Sequence, residues 1–374
     1  MSIEEFPILK NGIYANHAAL APWPAATAKA VSDFADENSN AGPKEFRQWM
    51  DREQDLRQRY RELIGAKSPK DIALLSNTTG GISTVAYGLA WQSGDNIVLP
   101  AGEFPSNRLP WLAQEIHGVE IREVDIRTAH DAENALIGAM DERTRVLAVS
   151  SVQFGDGFRL NLERLGAACA GSPALFFVDA IQQLGALPVD VERCGIDFLA
   201  ADGHKWMLAP EGVAVFYSRD SARAQLALRQ QGWHMYDFPW NFAREDWSPS
   251  TTARRFEAGS PNSLGQVGMY ASLGVLLNHG LDKISEQILA NTDQLMRGLA
   301  SLPGITITSD TRPERRSGIV SFVVENDRTR EVYKRLSTRG VTAALREGNI
   351  RLSPHYYQDH SVMERLLEKV ETAL

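Results

Sequence analysis

Two apolar stretches that stop on charged residues are the first candidates for chemistry. Gly195–Ala201 closes on Asp202-Gly203-His204-Lys205-Trp206, and Ala174–Val178 stops on Asp179. An apolar run that ends on a charge is how α/β enzymes present chemistry at the edge of a sheet. The pair offers a lysine able to form a Schiff base and an acid able to support a cofactor. Taken alone, Lys205 reads as a surface charge beside a turn, so its assignment rests on what else the chain brings to it.

A third strand end supplies a different function. Ser76-Asn77-Thr78-Thr79-Gly80-Gly81-Ile82-Ser83 follows the strand-like Ile72–Leu75 and opens a helix. Free backbone N–H groups, a positive helix end and hydroxyls suit an anion, above all a phosphate. A threonine N-cap followed by glycines accounts for the same residues. The stretch is neither a Walker loop nor GxGxxG.

The elements that position these ends alternate. Strand patterns at 72–75, 96–99, 119–124, 145–151, 175–178, 198–201 and 213–217 are interleaved with helical ones, for example 80–91, 107–117 and 162–170. This predicts an α/β fold with a mostly parallel sheet covered on both faces. Two helices, 24–40 and 44–63, precede it. The composition then changes: 231–247 carries Trp233, Tyr236, Phe238, Trp240, Phe242 and Trp247 without periodicity, as a packed loop would. Helices at 263–279 and 282–302 lead to strands at 305–308, 318–324 and 341–345 and helices at 328–338 and 359–374. We expect an arm over residues 1–20, a large domain over 21–265 and a small α+β domain over 266–374.

Bulk properties exclude several classes. The 374 residues carry a formal charge of −8, which argues against a duplex-binding surface. No apolar run reaches the ~18 residues of a membrane helix, and the acidic start lacks the marks of a signal peptide. Two cysteines, Cys169 and Cys194, offer neither a disulfide framework nor a metal site. The expectation is a cytoplasmic protein without a metal.

Taken together, the turn at 76–81, Phe177-Val178-Asp179-Ala180-Ile181-Gln182, Asp202-Gly203-His204-Lys205-Trp206 and Pro210-Glu211-Gly212 resemble the class V aminotransferase family. These are pyridoxal-phosphate enzymes of fold type I, among them cysteine desulfurases, kynureninases and isopenicillin N epimerases. The resemblance covers nearly the whole chain. It implies a seven-stranded sheet, with Lys205 holding pyridoxal 5'-phosphate and exchanging the Cα proton. It further implies Asp179 at the pyridinium nitrogen, Gln182 at the phenolic oxygen, and Thr78, Thr79, Gly80 and His204 at the phosphate. Phe104, in Glu103–Trp111, matches the position of a histidine that stacks on the cofactor in desulfurases. Ser260, in Phe256–Asn262, matches a segment that crosses a dimer interface to the other subunit's phosphate, so a homodimer with shared sites is implied. Arg351 matches the arginine that grips the substrate carboxylate. Arg346 matches a second substrate-loop arginine, and Gln153 follows a strand end where it could face the ligand.

Two features depart from the family. Desulfurases carry a catalytic cysteine on a loop between the two arginines, and here only Glu347 to Ile350 separate them. Asp202 stands where many members have serine or threonine; an acid beside a phosphate is unfavourable unless it bonds to His204 or points away. The expected activity is transamination of an amino acid or amine, with β-elimination (a C–S lyase) and epimerisation as alternatives. A non-catalytic phospholigand-binding α/β protein is the alternative outside this class.

Overall fold

The computed structural model describes residues 3–237, 240–243 and 245–374. The chain begins with a two-residue strand, β1 (Ile13–Tyr14), and the helices Ala25–Ala41 and Phe46–Ile64. Seven strands then form the main sheet: β2 (Ile72–Leu75), β3 (Asn96–Pro100), β4 (Glu120–Val124), β5 (Thr144–Ser150), β6 (Leu175–Asp179), β7 (Phe198–Asp202) and β8 (Ala214–Ser218). Their order is β2-β8-β7-β6-β5-β3-β4. Only β8 runs antiparallel to its neighbours, so β2 to β7 all end at the same edge.

The continuous apolar runs follow from burial on both faces. Along β5, Val146 and Ala148 join one apolar cluster while Leu147 and Val149 join the other, as a period of two requires. The first face is covered by the helix Thr78–Gly88 through Ile82, Val85 and Ala86. The second is covered by Leu56, Tyr60 and Leu63 and by Met269, Leu273 and Leu276 of Ser263–His279.

The remaining strands are β9 (Ile305–Ile307), β10 (Val320–Val324), β11 (Val341–Thr342), β12 (Ala344–Arg346) and β13 (Asn349–Leu352). Four of them make an antiparallel sheet in the order β12-β13-β10-β9, and β11 instead pairs in parallel with β1. The single strand expected over 341–345 is therefore two, one for each sheet.

The expected helix over 107–117 is shorter, Leu109–Leu112 flanked by 3-10 turns, with Pro110 near its start. The helix expected from 80 begins at Thr78 because Asn77 caps it, its Oδ1 accepting the Gly80 N–H at 2.8 Å. A helix at Ala132–Gly138, capped by Asp131, had no clear periodicity to announce it.

The apolar clusters divide later than residue 265. Ile284 and Ile288 of the helix Leu281–Ala300 pack with the main sheet, whereas its Leu295, Met296 and Leu299 pack with Val320, Phe322 and Leu352. We propose that the small unit starts inside this helix and that the arm belongs with it through β1. Of the aromatic stretch, Phe238 lies outside the described residues. Trp233 contacts Trp240 with ring centroids 4.8 Å apart, and Tyr236 contacts Trp247 at 4.9 Å.

One close approach sets the position of the capped helix. A Cβ on Gly81 would lie 2.7 Å from Ala200 Cβ and 3.0 Å from a Phe216 ring carbon. Only glycine lets this helix start sit on β7 and β8. Gly81→Ala gains about 1 kcal/mol of helix propensity but overpacks a site bounded by strand residues, which costs about 1–3 kcal/mol. A net loss of stability is expected in denaturant unfolding; an unchanged midpoint would contradict this packing.

Candidate active site

Each sequence-derived acid or base stands at the common strand edge. Asp179 ends β6 beside Ser150 of β5, and Asp202 ends β7. The turn after β7 is closed by backbone bonds from Ala209 N–H to Gly203 O and from Leu208 N–H to Lys205 O, both 3.0 Å. Leu208 is held at φ +58°, a strained conformation for a branched side chain. Trp206 is fully buried: its Nε1 donates to Gln182 Oε1 at 2.9 Å, and its carbonyl lies 3.0 Å from His355 Nε2. These contacts orient the preceding lysine.

Lys205 and Asp179 are both buried, and they form neither an ion pair nor a hydrogen bond with each other. Burial pushes the Asp179 carboxyl up to about 6, against the opposing pull of the Ile181 N–H and of Lys205. Burial likewise pushes the Lys205 ammonium down to about 8, against the attraction of Asp179. The Phe104 ring faces the lysine, its centroid 5.6 Å from Nζ, and packs edge-on against Phe154 at 5.2 Å.

Arg351, 1% exposed, enters from β13. Its Nη1 donates to Phe154 O at 2.6 Å, while Nε and Nη2 are buried without a partner. Those two nitrogens form one edge of the guanidinium, the edge that grips both oxygens of a carboxylate. Burial is the main cause that lowers this group to about 10, and the charge of Arg346 adds to it. Arg346 itself is exposed on β12.

The anion turn is more occupied than expected. Besides the capped Gly80 N–H, Thr78 Oγ1 accepts from Asp202 N–H at 2.9 Å, and Thr79 Oγ1 donates to Ser106 Oγ at 2.8 Å. His204 Nδ1 lies 3.0 Å from Asp202 Oδ1 but outside hydrogen-bonding geometry, so Asp202 faces the imidazole. The amide of Gln182 is committed at both ends, accepting from Trp206 and donating to Ala18 O at 3.0 Å; one N–H is left for a ligand. Gln153 is buried with its Nε2 on Glu103 at 3.0 Å, so its amide positions an acid. Ser260 is exposed and makes no hydrogen bond to these groups; its segment, in which Asn262 donates to Gly212 O at 3.0 Å, lines a cavity together with Ser76 at the start of the anion turn.

Glu103 is the site residue that sequence reasoning missed. It is buried, accepts from the Ser150 N–H at 2.7 Å and from the Ser150 hydroxyl, and burial pushes it up to about 7. The signal was available: like Asp179 and Asp202, it is an acid just beyond an apolar strand. Among the described residues no cluster of acids, histidines and cysteines is placed to hold a metal.

These residues fit pyridoxal phosphate. A buried acid and a buried amine that do not satisfy each other leave room for a third component between them, and a buried unpaired charge is otherwise costly. An aromatic face lies over the amine, and an unpartnered guanidinium edge borders the same space. In cofactor-free protein, trace acetylation of Lys205 read by mass spectrometry should rise through a midpoint near 8, because only the neutral amine reacts. A midpoint near the ~10.4 of an exposed lysine would contradict this burial.

The chain matches the family profile described as Aminotransferase class-V over residues 13–359. A probable cysteine desulfurase of Methanothermobacter thermautotrophicus is 28% identical, covering 98% of this chain and 96% of that protein. A cysteine desulfurase of Pectobacterium atrosepticum is 29% identical over 80% of this chain and 74% of its own. Among solved structures, a C-DES variant with glycine covalently linked to its PLP cofactor superposes with a TM-score of 0.92 at 24% identity, covering 99% of both chains. No helix among the described residues is long and apolar enough to cross a membrane. Fold, strand-edge site and profile agree: the chain belongs to the class V aminotransferase family of pyridoxal-phosphate-dependent enzymes with fold type I.

Proposed function

We propose that this enzyme is an aminotransferase acting on an α-amino acid. The observation that carries the proposal is the buried amine of Lys205 facing a phenylalanine, with a free guanidinium edge on Arg351 for the substrate carboxylate. When bound, pyridoxal phosphate supplies an electron sink for a carbanion at the substrate Cα. Asp179 favours a protonated ring nitrogen, because its carboxylate is buried and has no cation of its own. Lys205 would take the proton from the substrate Cα and, on the same face, hand it to the carbon of the bound cofactor that carries the amino group when transamination ends, rather than back to Cα. The Phe104 ring faces Lys205 and would carry no proton to the reaction. Moving one proton with one base is the least demanding use of these groups.

A persulfide-forming reaction of the desulfurase kind lacks its nucleophile. Between Arg346 and Arg351 the chain makes a two-residue turn, Glu347 and Gly348 at φ +49° and +82°, with no loop to carry a cysteine. Both cysteines are buried. Burial raises the Cys169 thiol to about 12 and raises Cys194 as well, the opposite of activation.

β-Elimination is the second reading. The curated relatives are named cysteine desulfurases, and one solved neighbour, with a TM-score of 0.90, is a cystine C–S lyase in complex with its product cysteine persulfide. Elimination begins with the same proton removal and needs no cysteine. We further propose a homodimer in which Ser260 of each subunit reaches the phosphate held by the other.

An amino-acid panel decides between the two. Transamination requires an oxo-acid acceptor and retains the donor's carbon skeleton; a lyase releases pyruvate and a sulfur product from cysteine or cystine with no acceptor. Lys205→Ala should abolish the visible cofactor band and borohydride fixation, and an unchanged, fixable band would refute the lysine assignment. Arg351→Gln should raise KM for amino acids roughly tenfold to a hundredfold, the scale of a charge-assisted bidentate contact, and leave KM for simple amines nearly unchanged. A uniform rise would remove the carboxylate role.

A further inference from the structure

A second guanidinium shares a face of the small sheet with Arg351. In the β12–β13 hairpin Ala344 pairs with Arg351 and Arg346 pairs with Asn349. Residues two apart on a strand lie on the same side, so Arg346, Ala344, Asn349 and Arg351 occupy one face. Leu345 and Ile350 occupy the other and pack into the small apolar cluster. Arg346 and Arg351 are therefore diagonal neighbours, with backbones about 7–8 Å apart.

The hairpin that carries Arg346 is pinned. Glu347 Oε2 accepts from Arg127 Nη2 at 2.8 Å, tying the tip to the main domain. The Asn349 amide donates to Glu347 O at 3.0 Å, and its Oδ1 accepts from the Thr308 hydroxyl at 2.9 Å. Glu347 and Asp156 are themselves engaged, since Arg127 faces both, the latter at 3.4 Å. The Arg346 guanidinium makes one hydrogen bond, from Nη1 to Leu345 O at 3.1 Å, and no ion pair among the described residues. After burial, its charge is a further cause that holds Arg351 and Lys205 low. A cation that repels two cations of the site, and that no acid among the described residues answers, is suited to an anion that enters from outside.

The geometry points to Arg346 as the residue that selects an acidic amino acid, binding the side-chain carboxylate while the free edge of Arg351 holds the α-carboxylate. This rests on the carboxylate role of Arg351 given above. Arg346 is exposed, so the contact is worth the upper end of a partly solvated ion pair, roughly fivefold in affinity.

Calorimetric titration of the holoenzyme with succinate and with butyrate, acids of equal chain length, tests it at low ionic strength. Succinate should bind roughly fivefold tighter or more. Arg346→Gln should erase that preference with butyrate affinity retained, and Arg351→Gln should weaken both acids. Equal affinities in the wild type, or a proportional loss of both acids in Arg346→Gln, would overturn the inference alone. Failure of both acids to bind the holoenzyme, with KM for amino acids independent of Arg351, would instead overturn the underlying carboxylate role and the inference with it.

Discussion

The site depends on two opposite charges buried near each other without being allowed to meet. Asp179 and Lys205 leave water at a cost of several kcal/mol each, and an ion pair between them would recover part of it. The sheet prevents that. Asp179 is held in register with Ser150 and Ala200, and Lys205 sits beyond β7 in a turn closed by its own backbone bonds and anchored by Trp206. The cost is met by the rest of the fold, above all by two apolar clusters that sandwich strands buried on both faces. A ligand that satisfies both charges therefore stabilises the folded state as it binds, and burial is what displaces the titration of each group.

Much of this was legible in the residue order because strand ends are punctuated by charge. The endings of β6 and β7 on Asp179 and Asp202 were readable without any structure, as was the helix start at 76–81. What could not be read was partnership. Glu103 obeys the same rule as Asp179, yet its role comes from Ser150 and Gln153, which reach it across the sheet. Gln182 was legible as a polar residue after a strand, but its bonds to Trp206 and Ala18 depend on the arm folding back. The division of the chain turns on a related point: one helix, Leu281–Ala300, serves both apolar clusters with a single amphipathic pattern.

A shared fold leaves the reaction open, and the β12–β13 hairpin shows how little chain decides it. Its two-residue turn has both residues at positive φ, the geometry favoured for tight hairpins. Such a turn leaves no span for a reactive side chain to reach the lysine. It also fixes which side chains share a face with Arg351. With the roles proposed for Arg346 and Arg351, length at this one connection would govern both the nucleophile available and the polarity of the substrate space.

The arm has a consequence for the order in which the enzyme comes into being. Ile13 pairs with Val341, His17 Nδ1 donates to Ser353 O across 336 positions, and the same arm contacts Gln182 and, through Ala21 N–H, the carbonyl of His204. The arm thus waits for partners made more than 320 residues later. At about 5–20 residues per second, the interval is roughly 15 to 70 seconds. Lys205 follows the arm by about 190 residues, so only for the last roughly 7 to 30 seconds of that interval does the lysine turn exist while the arm still lacks its partners at Val341 and Ser353.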